Sequence, residues 1–274
     1  MAPLRMLGSL AALLAAAVPV AAEAAGADAA RKTILVAGAT GKTGALVYKM
    51  LCALGTYEVR GLVRNATKAR EVLDCGACSE AEGIFVGDLV DKASLAAPTK
   101  GADALMVLTS AFPVCDFGSK PPTCRFPPGA TPKEVDWDGA RNLVSSFGEQ
   151  NPRGAVLVCS TMGTTKAETP VFDAGSLFFY KLNQEAMVMN TGLPWMIVKP
   201  CGLSDEPEGQ KTMVVGHDDT LDTRSSVSRA DVARVMVETL ERGTFGLRFD
   251  LCATPGAPAQ PTDFGALLAT GRAP

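Results

Sequence analysis

Three glycines, Gly38, Gly41 and Gly44, have the spacing of a loop that binds a diphosphate. An apolar run over residues 33–37 predicts a buried strand before them, and an amphipathic pattern over 45–51 predicts a helix after them. Glycine suits this position because a diphosphate needs close approach to the backbone N–H groups at a helix N-terminus. An ordinary glycine-rich turn is the alternative, which the strand–turn–helix context disfavours. We predict coenzyme contacts from the whole loop, comprising Gly38, Ala39, Thr40, Gly41, Lys42, Thr43 and Gly44.

The second predicted strand, residues 57–63, ends in a basic residue, Arg64, which is followed by Asn65. An acid at this position would hydrogen-bond the adenosine ribose of NAD, whereas arginine pairs with the 2′-phosphate of NADP. A solvated charge at the end of a strand is the alternative role for Arg64. We therefore predict NADP(H) as the cofactor, with Arg64 and Asn65 among its binding residues.

The third and fourth predicted strands, 83–89 and 102–110, supply the next part of the crevice. Asp88 is predicted to accept a hydrogen bond from the adenine amine while Leu89 covers a face of the ring. A helix cap for the segment that starts at Asp91 is the alternative role for Asp88. At the carboxyl end of the fourth strand, the coenzyme contacts are expected from Thr109, Ser110 and Ala111.

Candidate catalytic residues follow in the second half of the chain. Ser160 and Thr161 end the apolar run that begins at residue 154, and a predicted helix over 176–190 carries Tyr180 and Lys181. The strand after that helix, 195–200, is expected to bring Pro200, Gly202 and Leu203 to the coenzyme. The single histidine, His217, lies in a predicted turn and is interpreted as a surface residue.

Length and composition limit the alternatives. The 274 residues carry a net charge of -3 and no basic stripe, so nucleic acid is not an expected partner and small molecules are. Arg5, an apolar stretch over 6–22 and the small-x-small site at 22–24 resemble a targeting peptide, with an uncleaved membrane anchor as the alternative. We expect three regions, a targeting peptide (1–30), a single NAD(P)-binding domain (31–265) and a flexible tail (266–274).

A proline-rich segment, residues 112–134, is predicted to be an irregular, lid-like loop on the ligand side, with disorder as the alternative. The eight cysteines do not form the dense framework of a small secreted scaffold, and most are expected to be buried thiols. Cys75 and Cys78 form either a local disulfide or two free thiols, and Cys115 and Cys124 could pair. No metal is expected, because a second cysteine pair of matching spacing and further histidines are missing.

Taken together, several motifs resemble the atypical short-chain dehydrogenase/reductases of the NmrA-like kind, especially compact members from plants, algae and cyanobacteria. They are Val-Ala-Gly-Ala-Thr-Gly-Lys-Thr-Gly, Gly-Leu-Val-Arg-Asn, Gly-Asp-Leu-Val-Asp, Leu-Thr-Ser-Ala-Phe-Pro, Glu-Val-Asp-Trp, Thr-Gly-Leu-Pro-Trp and Ser-Arg-Ala-Asp-Val-Ala, within residues 32–265. The resemblance implies an α/β fold with a Rossmann-type, doubly wound, mostly parallel sheet, helices on both faces and a small C-terminal substrate-side subdomain. It also implies Arg64 on the 2′-phosphate and Lys181 near the nicotinamide ribose.

The sequence departs from the larger family at the catalytic pair. Short-chain dehydrogenases typically use Tyr-x-x-x-Lys, in which lysine lowers the pKa of the tyrosine that transfers a proton. Here Leu177 stands four residues before Lys181, and Gln184 stands four residues after Tyr180. Lys181 with Ser160 or Thr161 is predicted to polarise a carbonyl instead. Tyr180 is interpreted either as a structural aromatic residue or as a proton donor.

Two functions are therefore predicted as alternatives. The first is an NADP(H)-dependent oxidoreductase that transfers hydride to a small carbonyl, enone or quinone. The second is a protein that binds NADP(H) without turnover, as a redox sensor or as an assembly partner of another protein. The resemblance to photosynthetic relatives favours a plastid, and the apolar leader makes a secretory compartment the alternative. No stable membrane span is expected in the mature chain.

Overall fold

The fold was determined as a computed structural model, which describes residues 31–116, 118–120, 123–166, 177–222, 224–256 and 260–272. The twelve strands are β1 (Thr33–Ala37), β2 (Glu58–Val63), β3 (Ile84–Val86), β4 (Ala104–Val107), β5 (Val114–Asp116), β6 (Thr123–Arg125), β7 (Ala155–Cys159), β8 (Trp195–Pro200), β9 (Gly202–Ser204), β10 (Thr212–Gly216), β11 (Ser226–Ser228) and β12 (Leu247–Thr254). The α-helices are α1 (Lys42–Leu54), α2 (Ala66–Leu73), α3 (Ala96–Thr99), α4 (Ala140–Gln150), α5 (Leu177–Met189), α6 (Arg229–Arg242) and α7 (Phe264–Thr270). Short 3₁₀ turns span Glu80–Glu82 and Lys92–Leu95, and a π-helix spans Lys133–Gly139.

Eight strands form one sheet in the order β3-β2-β1-β4-β7-β8-β12-β10. All neighbours in it pair in parallel except β10, which is antiparallel to β12. Every residue of β1 is buried, as expected for a strand that helices cover on both faces. One face packs against α1 and α6 and the other against α4 and α5. The predicted Rossmann-type, mostly parallel sheet is confirmed.

A short strand and turn were predicted over residues 211–219, outside the nucleotide half and in the substrate-side subdomain. The strand is present as β10, at the sheet edge opposite β3, but it belongs to the main sheet. The outer edge of β12 has backbone N–H and C=O groups that need partners, and β10 provides them. Strands β9 and β11 form a separate two-stranded parallel sheet.

The proline-rich segment also contains more regular structure than expected. Strands β5 and β6 pair in antiparallel fashion, and a disulfide joins Cys115 to Cys124 across them. This is possible because neither strand contains a proline, so no ladder donor is lost within them.

Two further disulfides are present. Cys75 pairs with Cys78, which selects one of the two predicted alternatives, and Cys201 pairs with Cys252. The Cys201–Cys252 pair was not predicted, because its residues are 51 positions apart and meet only where β8 and β12 are neighbours.

The structure describes the C-terminal end of the chain up to residue 272. The predicted targeting peptide, residues 1–30, lies outside the described residues. At the other end, α7 extends to Thr270 and buries Leu268, so the first part of the predicted flexible tail is helical. Within the described ranges, no helix has the length and apolar character to cross a membrane.

Candidate coenzyme and catalytic site

The glycine loop has the geometry of a diphosphate cradle. Gly38 has a φ of 82°, in the left-handed region that favours glycine, and its carbonyl oxygen accepts from the Gly41 N–H at 2.8 Å. A Cβ added at Gly44 would lie 2.1 Å from that same oxygen. No side chain caps the N-terminus of α1, whose cap residue is Gly41. The first backbone N–H groups of α1 are therefore available to an anion.

A cleft of about 270 Å³ runs from this loop along the carboxyl ends of β1, β2 and β4. It gathers predicted coenzyme residues from four separate stretches of the chain. Its lining includes Gly38, Thr40, Gly41, Arg64, Asp88, Leu89, Thr109, Ser110 and Ala111. The end of the proline-rich segment also lines it, through Pro127, Gly129 and Ala130. That segment was predicted on the ligand side, and the structure places its end there.

Arg64 and Asn65 have different surroundings at the end of β2. Arg64 is exposed and has no hydrogen bond or ion pair among the described residues, so its guanidinium is available to a ligand. The Asn65 side chain instead accepts from the Thr67 and Lys68 N–H groups and caps α2. Asn65 therefore acts as the N-cap of α2. The sequence alone did not distinguish this role from the predicted coenzyme contact.

One carboxylate oxygen of Asp88 has no hydrogen-bond partner among the described residues. Its Oδ1 accepts from the Val90 N–H at 3.1 Å, while the helix cap that was the alternative role belongs to Asp91. Leu89 is buried and lines the same cleft. At the end of β4, the Thr109 hydroxyl is buried and has no hydrogen-bond partner in the part of the chain that the structure describes. An unpaired polar atom at a ligand cleft is expected to gain its partner from the ligand.

Lys181 forms a buried ion pair with Asp136, a residue that the sequence analysis did not select. The two groups are 2.9 Å apart with side-chain exposures of 3% and 0%. The same ammonium donates to the Thr109 carbonyl at 3.3 Å, and Asp136 also accepts from the Ala111 N–H at 2.9 Å. Lys181 is thus held against the end of β4, beside the cleft. The Glu-Val-Asp-Trp motif contained this aspartate, but only folding brings it to α5.

The hydrogen bond that Ser160 forms differs from the one its predicted role requires, in which the hydroxyl would polarise a substrate carbonyl. Its hydroxyl donates to Glu185 at 2.5 Å, and Glu185 accepts from Arg248 at 2.9 Å. Thr161 donates to the Met162 carbonyl at 3.1 Å. Both hydroxyl protons are therefore committed to protein acceptors, because a buried serine or threonine has only one to give. Sequence spacing could not reveal this, since Glu185 and Arg248 lie on other elements.

The remaining predicted site residues are placed as follows. Tyr180 is partly buried and packs edge-on against Phe179, with 5.3 Å between ring centroids. Pro200 is buried at the end of β8, and Gly202 and Leu203 begin β9. A surface ion pair of 2.7 Å between Lys42 and Asp205 brings the segment after β9 to the glycine loop. His217 is partly exposed and contacts the Thr270 carbonyl at 3.0 Å.

A second buried charge cluster supports the loop after Ser160. Asp219 accepts from the Gly163 N–H at 2.7 Å, the Thr165 N–H at 2.8 Å and Lys199 at 2.9 Å, and Lys199 also pairs with Asp250 at 3.2 Å. Burial alone would raise the pKa of Asp219, but hydrogen bonds from Thr165, Gly163 and Lys199 outweigh it and hold the pKa at about 2. The carboxylate stays ionised and fixes the path of residues 163–165.

The chain was compared with known proteins. The sequence profile of a family described as NAD(P)H-binding matches residues 38–242. The chain is 35% identical over 249 residues to "Uncharacterized protein At2g37660, chloroplastic" from Arabidopsis thaliana, covering 86% of this chain and 74% of that protein. It is 30% identical over 271 residues to "Sanguinarine reductase" from Eschscholzia californica, covering 88% of this chain and 97% of that protein.

Solved structures support the fold. ChuY, an anaerobillin reductase from Escherichia coli O157:H7, superposes with a TM-score of 0.61 at 19% identity, over 83% of this chain and 100% of that one. At this identity the likeness concerns the fold alone. The family match over residues 38–242 is what shows a nicotinamide coenzyme as the ligand.

Proposed function

This chain belongs to the NAD(P)H-binding family of atypical short-chain dehydrogenase/reductases, and we propose that it is an NADPH-dependent reductase of a small carbonyl, enone or quinone. The observation that carries the proposal is the buried Lys181–Asp136 ion pair beside the coenzyme cleft. The named reductase from Eschscholzia californica, whose length the chain covers almost completely, supports the same class of reaction.

The residues present fit the coenzyme. The α1 N-terminus and glycine loop would hold its diphosphate, and Asp88 and Leu89 would hold the adenine. The unpaired Thr109 hydroxyl would gain a partner further along the cleft. Bound NADPH would supply the hydride that reduces the substrate.

Lys181 is the proposed proton donor. An ammonium group has three protons, of which one is donated to the Thr109 carbonyl, and the group is also ion-paired with Asp136. A proton that these contacts leave free would go to the substrate oxygen as negative charge develops there. Asp136 keeps the ammonium in place because two buried, oppositely charged groups strongly disfavour separation. This arrangement takes over the proton transfer for which the larger family uses tyrosine.

NADP rather than NAD is proposed because Arg64 is exposed, unpaired in the described structure and in the lining of the cleft. Changing Arg64 to alanine is expected to weaken NADP binding about 10- to 100-fold, since a hydrogen bond to a charged group contributes about 1.5–3 kcal/mol. Affinity for NAD should stay within about twofold. Fluorescence titration of NADPH and NADH measures both constants.

Arg70→Ala is the matched control for that prediction. Arg70 is an exposed arginine on the neighbouring helix α2, and among the described residues its side chain donates to the Ala77 carbonyl at 3.3 Å. Its removal should leave both coenzyme affinities unchanged. Equal binding of NADP and NAD by the wild type, unaltered by Arg64→Ala, would leave Arg64 as a solvated charge and contradict its proposed role.

A non-catalytic NADP(H)-binding function is the second candidate, and the committed protons of Ser160 and Thr161 favour it. The proline-rich segment at the cleft would then recognise a protein partner, in a redox-sensing or assembly role. Measuring NADPH oxidation in the presence of panels of quinones, enones and aldehydes distinguishes the two functions. Tight NADPH binding without oxidation by any acceptor would reject the reductase.

We propose the plastid as the compartment, because the relative from Arabidopsis thaliana carries a chloroplastic name and the chain has an apolar leader. None of the named relatives supports the secretory alternative. The proposed domain organisation is a leader of about thirty residues followed by one NAD(P)-binding domain. N-terminal sequencing of the mature protein from its own cell tests both statements, and a start near residue 31 is the expected result.

A further inference from the structure

We propose that Glu185 and Arg248 set the polarity of Ser160, so that this hydroxyl offers a ligand only lone pairs and selects substrates that present an N–H or O–H group to it. This inference rests on the proposed reductase function, since it names the class of substrate. It assigns Glu185 and Arg248 as positioning residues, because both act through Ser160.

The hydrogen bond between Ser160 and Glu185 has a fixed direction. Ser160 Oγ lies 2.5 Å from Glu185 Oε1, and the residues are 6% and 0% exposed. An ionised carboxylate can only accept, so the single hydroxyl proton must point at Glu185. The remaining sites on the oxygen are lone pairs. A ligand that reaches Ser160 can therefore form a hydrogen bond only by donating.

Arg248 forms an ion pair with Glu185. Arg248 donates from Nε to Glu185 Oε2 at 2.9 Å and from Nη1 to Asp218 at 3.2 Å. Burial acts to lower the pKa of Arg248, but the charge of Glu185 and its hydrogen bond, together with Asp218, outweigh burial and raise the pKa. A charged guanidinium therefore faces Glu185, and the two form a charge-assisted hydrogen bond in which the carboxylate accepts.

Among the described residues, the second hydroxyl at the end of β7 does not compete as a donor. The Thr161 hydroxyl proton goes to the Met162 carbonyl at 3.1 Å. Both hydroxyls that follow β7 are thus acceptors toward a ligand. Proton delivery falls to Lys181, and substrate recognition at Ser160 falls to donors carried by the substrate. Acceptors with an amino or neutral hydroxyl group near the reducible bond fit this site better than isosteres that lack one.

Glu185→Gln tests the polarity directly. Arg248 has donors and no acceptor, so the new amide must turn its oxygen toward Arg248 and its NH₂ toward Ser160. Ser160 then accepts from the amide, and its own proton becomes free for the ligand. Every buried polar atom keeps a partner, and Arg248 keeps Asp218, so the fold should be retained. A thermal unfolding scan checks this.

The probes are 2-amino- and 2-methyl-1,4-naphthoquinone, which match in shape and differ in the N–H group. Their affinities for the NADP⁺-saturated protein are measured by fluorescence quenching, which requires no turnover. The wild type should bind the amino compound about 3- to 10-fold more tightly, as one net hydrogen bond predicts. Glu185→Gln should abolish or reverse this preference, and Ser160→Ala should abolish it. Glu149→Gln, at an exposed ion pair on α4, should keep it.

The outcomes separate the two proposals. The same probe preference in the wild type and Glu185→Gln overturns the polarity inference, as does a wild type without preference, including one that binds neither probe. A preference that Glu185→Gln removes supports the inference even if no acceptor oxidises NADPH, in which case only the reductase function fails. Reduction of acceptors with an unaltered preference supports the reductase and overturns the inference.

Discussion

Replacing Asp136 with leucine is expected to lower the free energy of unfolding by about 3–5 kcal/mol. Lys181 would then remain 3% exposed without its counter-charge, and a buried unpaired ammonium is costly. The Ala111 N–H would also lose the carboxylate that it now contacts at 2.9 Å. Urea unfolding followed by circular dichroism measures the loss as a lower midpoint at unchanged slope.

Two controls define what this stability loss means. Lys92→Met breaks an exposed ion pair of 3.0 Å with Glu149 and should cost at most about 1 kcal/mol. Combining Asp136→Leu with Lys181→Met removes both buried charges and should recover most of the stability, since apolar replacements of buried pairs are often tolerated. A loss below about 1 kcal/mol for Asp136→Leu alone would show that Lys181 reaches water without this partner.

Lys181→Met is expected to lower kcat for the reduction of any accepted substrate by about 10²- to 10⁴-fold, the usual range for removal of a general acid. Methionine keeps the length of the side chain and removes the proton and the positive charge. The affinity for NADPH, measured by titration, should fall much less than kcat, because the glycine loop and Arg64 are untouched. Steady-state kinetics with the most active acceptor provide the rate.

Lys181→Arg is the matched control for the chemistry. The guanidinium preserves the charge beside Asp136 but holds its protons too tightly to transfer one at neutral pH. It should therefore retain stability better than methionine and leave kcat low. Full activity in either variant would assign proton transfer to another group and restrict Lys181 to a structural role. The double variant with Asp136→Leu should be stable and inactive, which separates folding from catalysis.

The sheet could be predicted from the sequence because each of its strands is indicated by a short segment of the chain. The buried run before Gly38, the alternation of apolar stretches with helical patterns and the strand-ending residues Arg64 and Asp88 each occupy one short window. Their order along the chain already implies parallel strands, whose carboxyl ends share one edge. The place of β10 in the main sheet was not predicted, because its antiparallel pairing with β12 links residues about forty positions apart.

The catalytic surroundings were less accessible for the same physical reason. Hydroxyl and lysine positions were readable from spacing, but the partner of each depends on which elements pack together. Nothing near Ser160 in the sequence points to Glu185 or to Arg248, and nothing near Lys181 points to Asp136. The hairpin at Cys115 was hidden because its prolines dominate the composition of the segment, although none lies in the strands.

What the sequence by itself determined is the architecture and the coenzyme class, because backbone approach at glycine and burial of strands are properties of short segments. What only the tertiary structure decided is the charge and polarity of the site. A buried ammonium or hydroxyl takes whichever acceptor the packing brings within about 3 Å, and in a low-dielectric interior that partner sets whether the group can donate. Asp136 is this partner for Lys181, and Glu185 is this partner for Ser160.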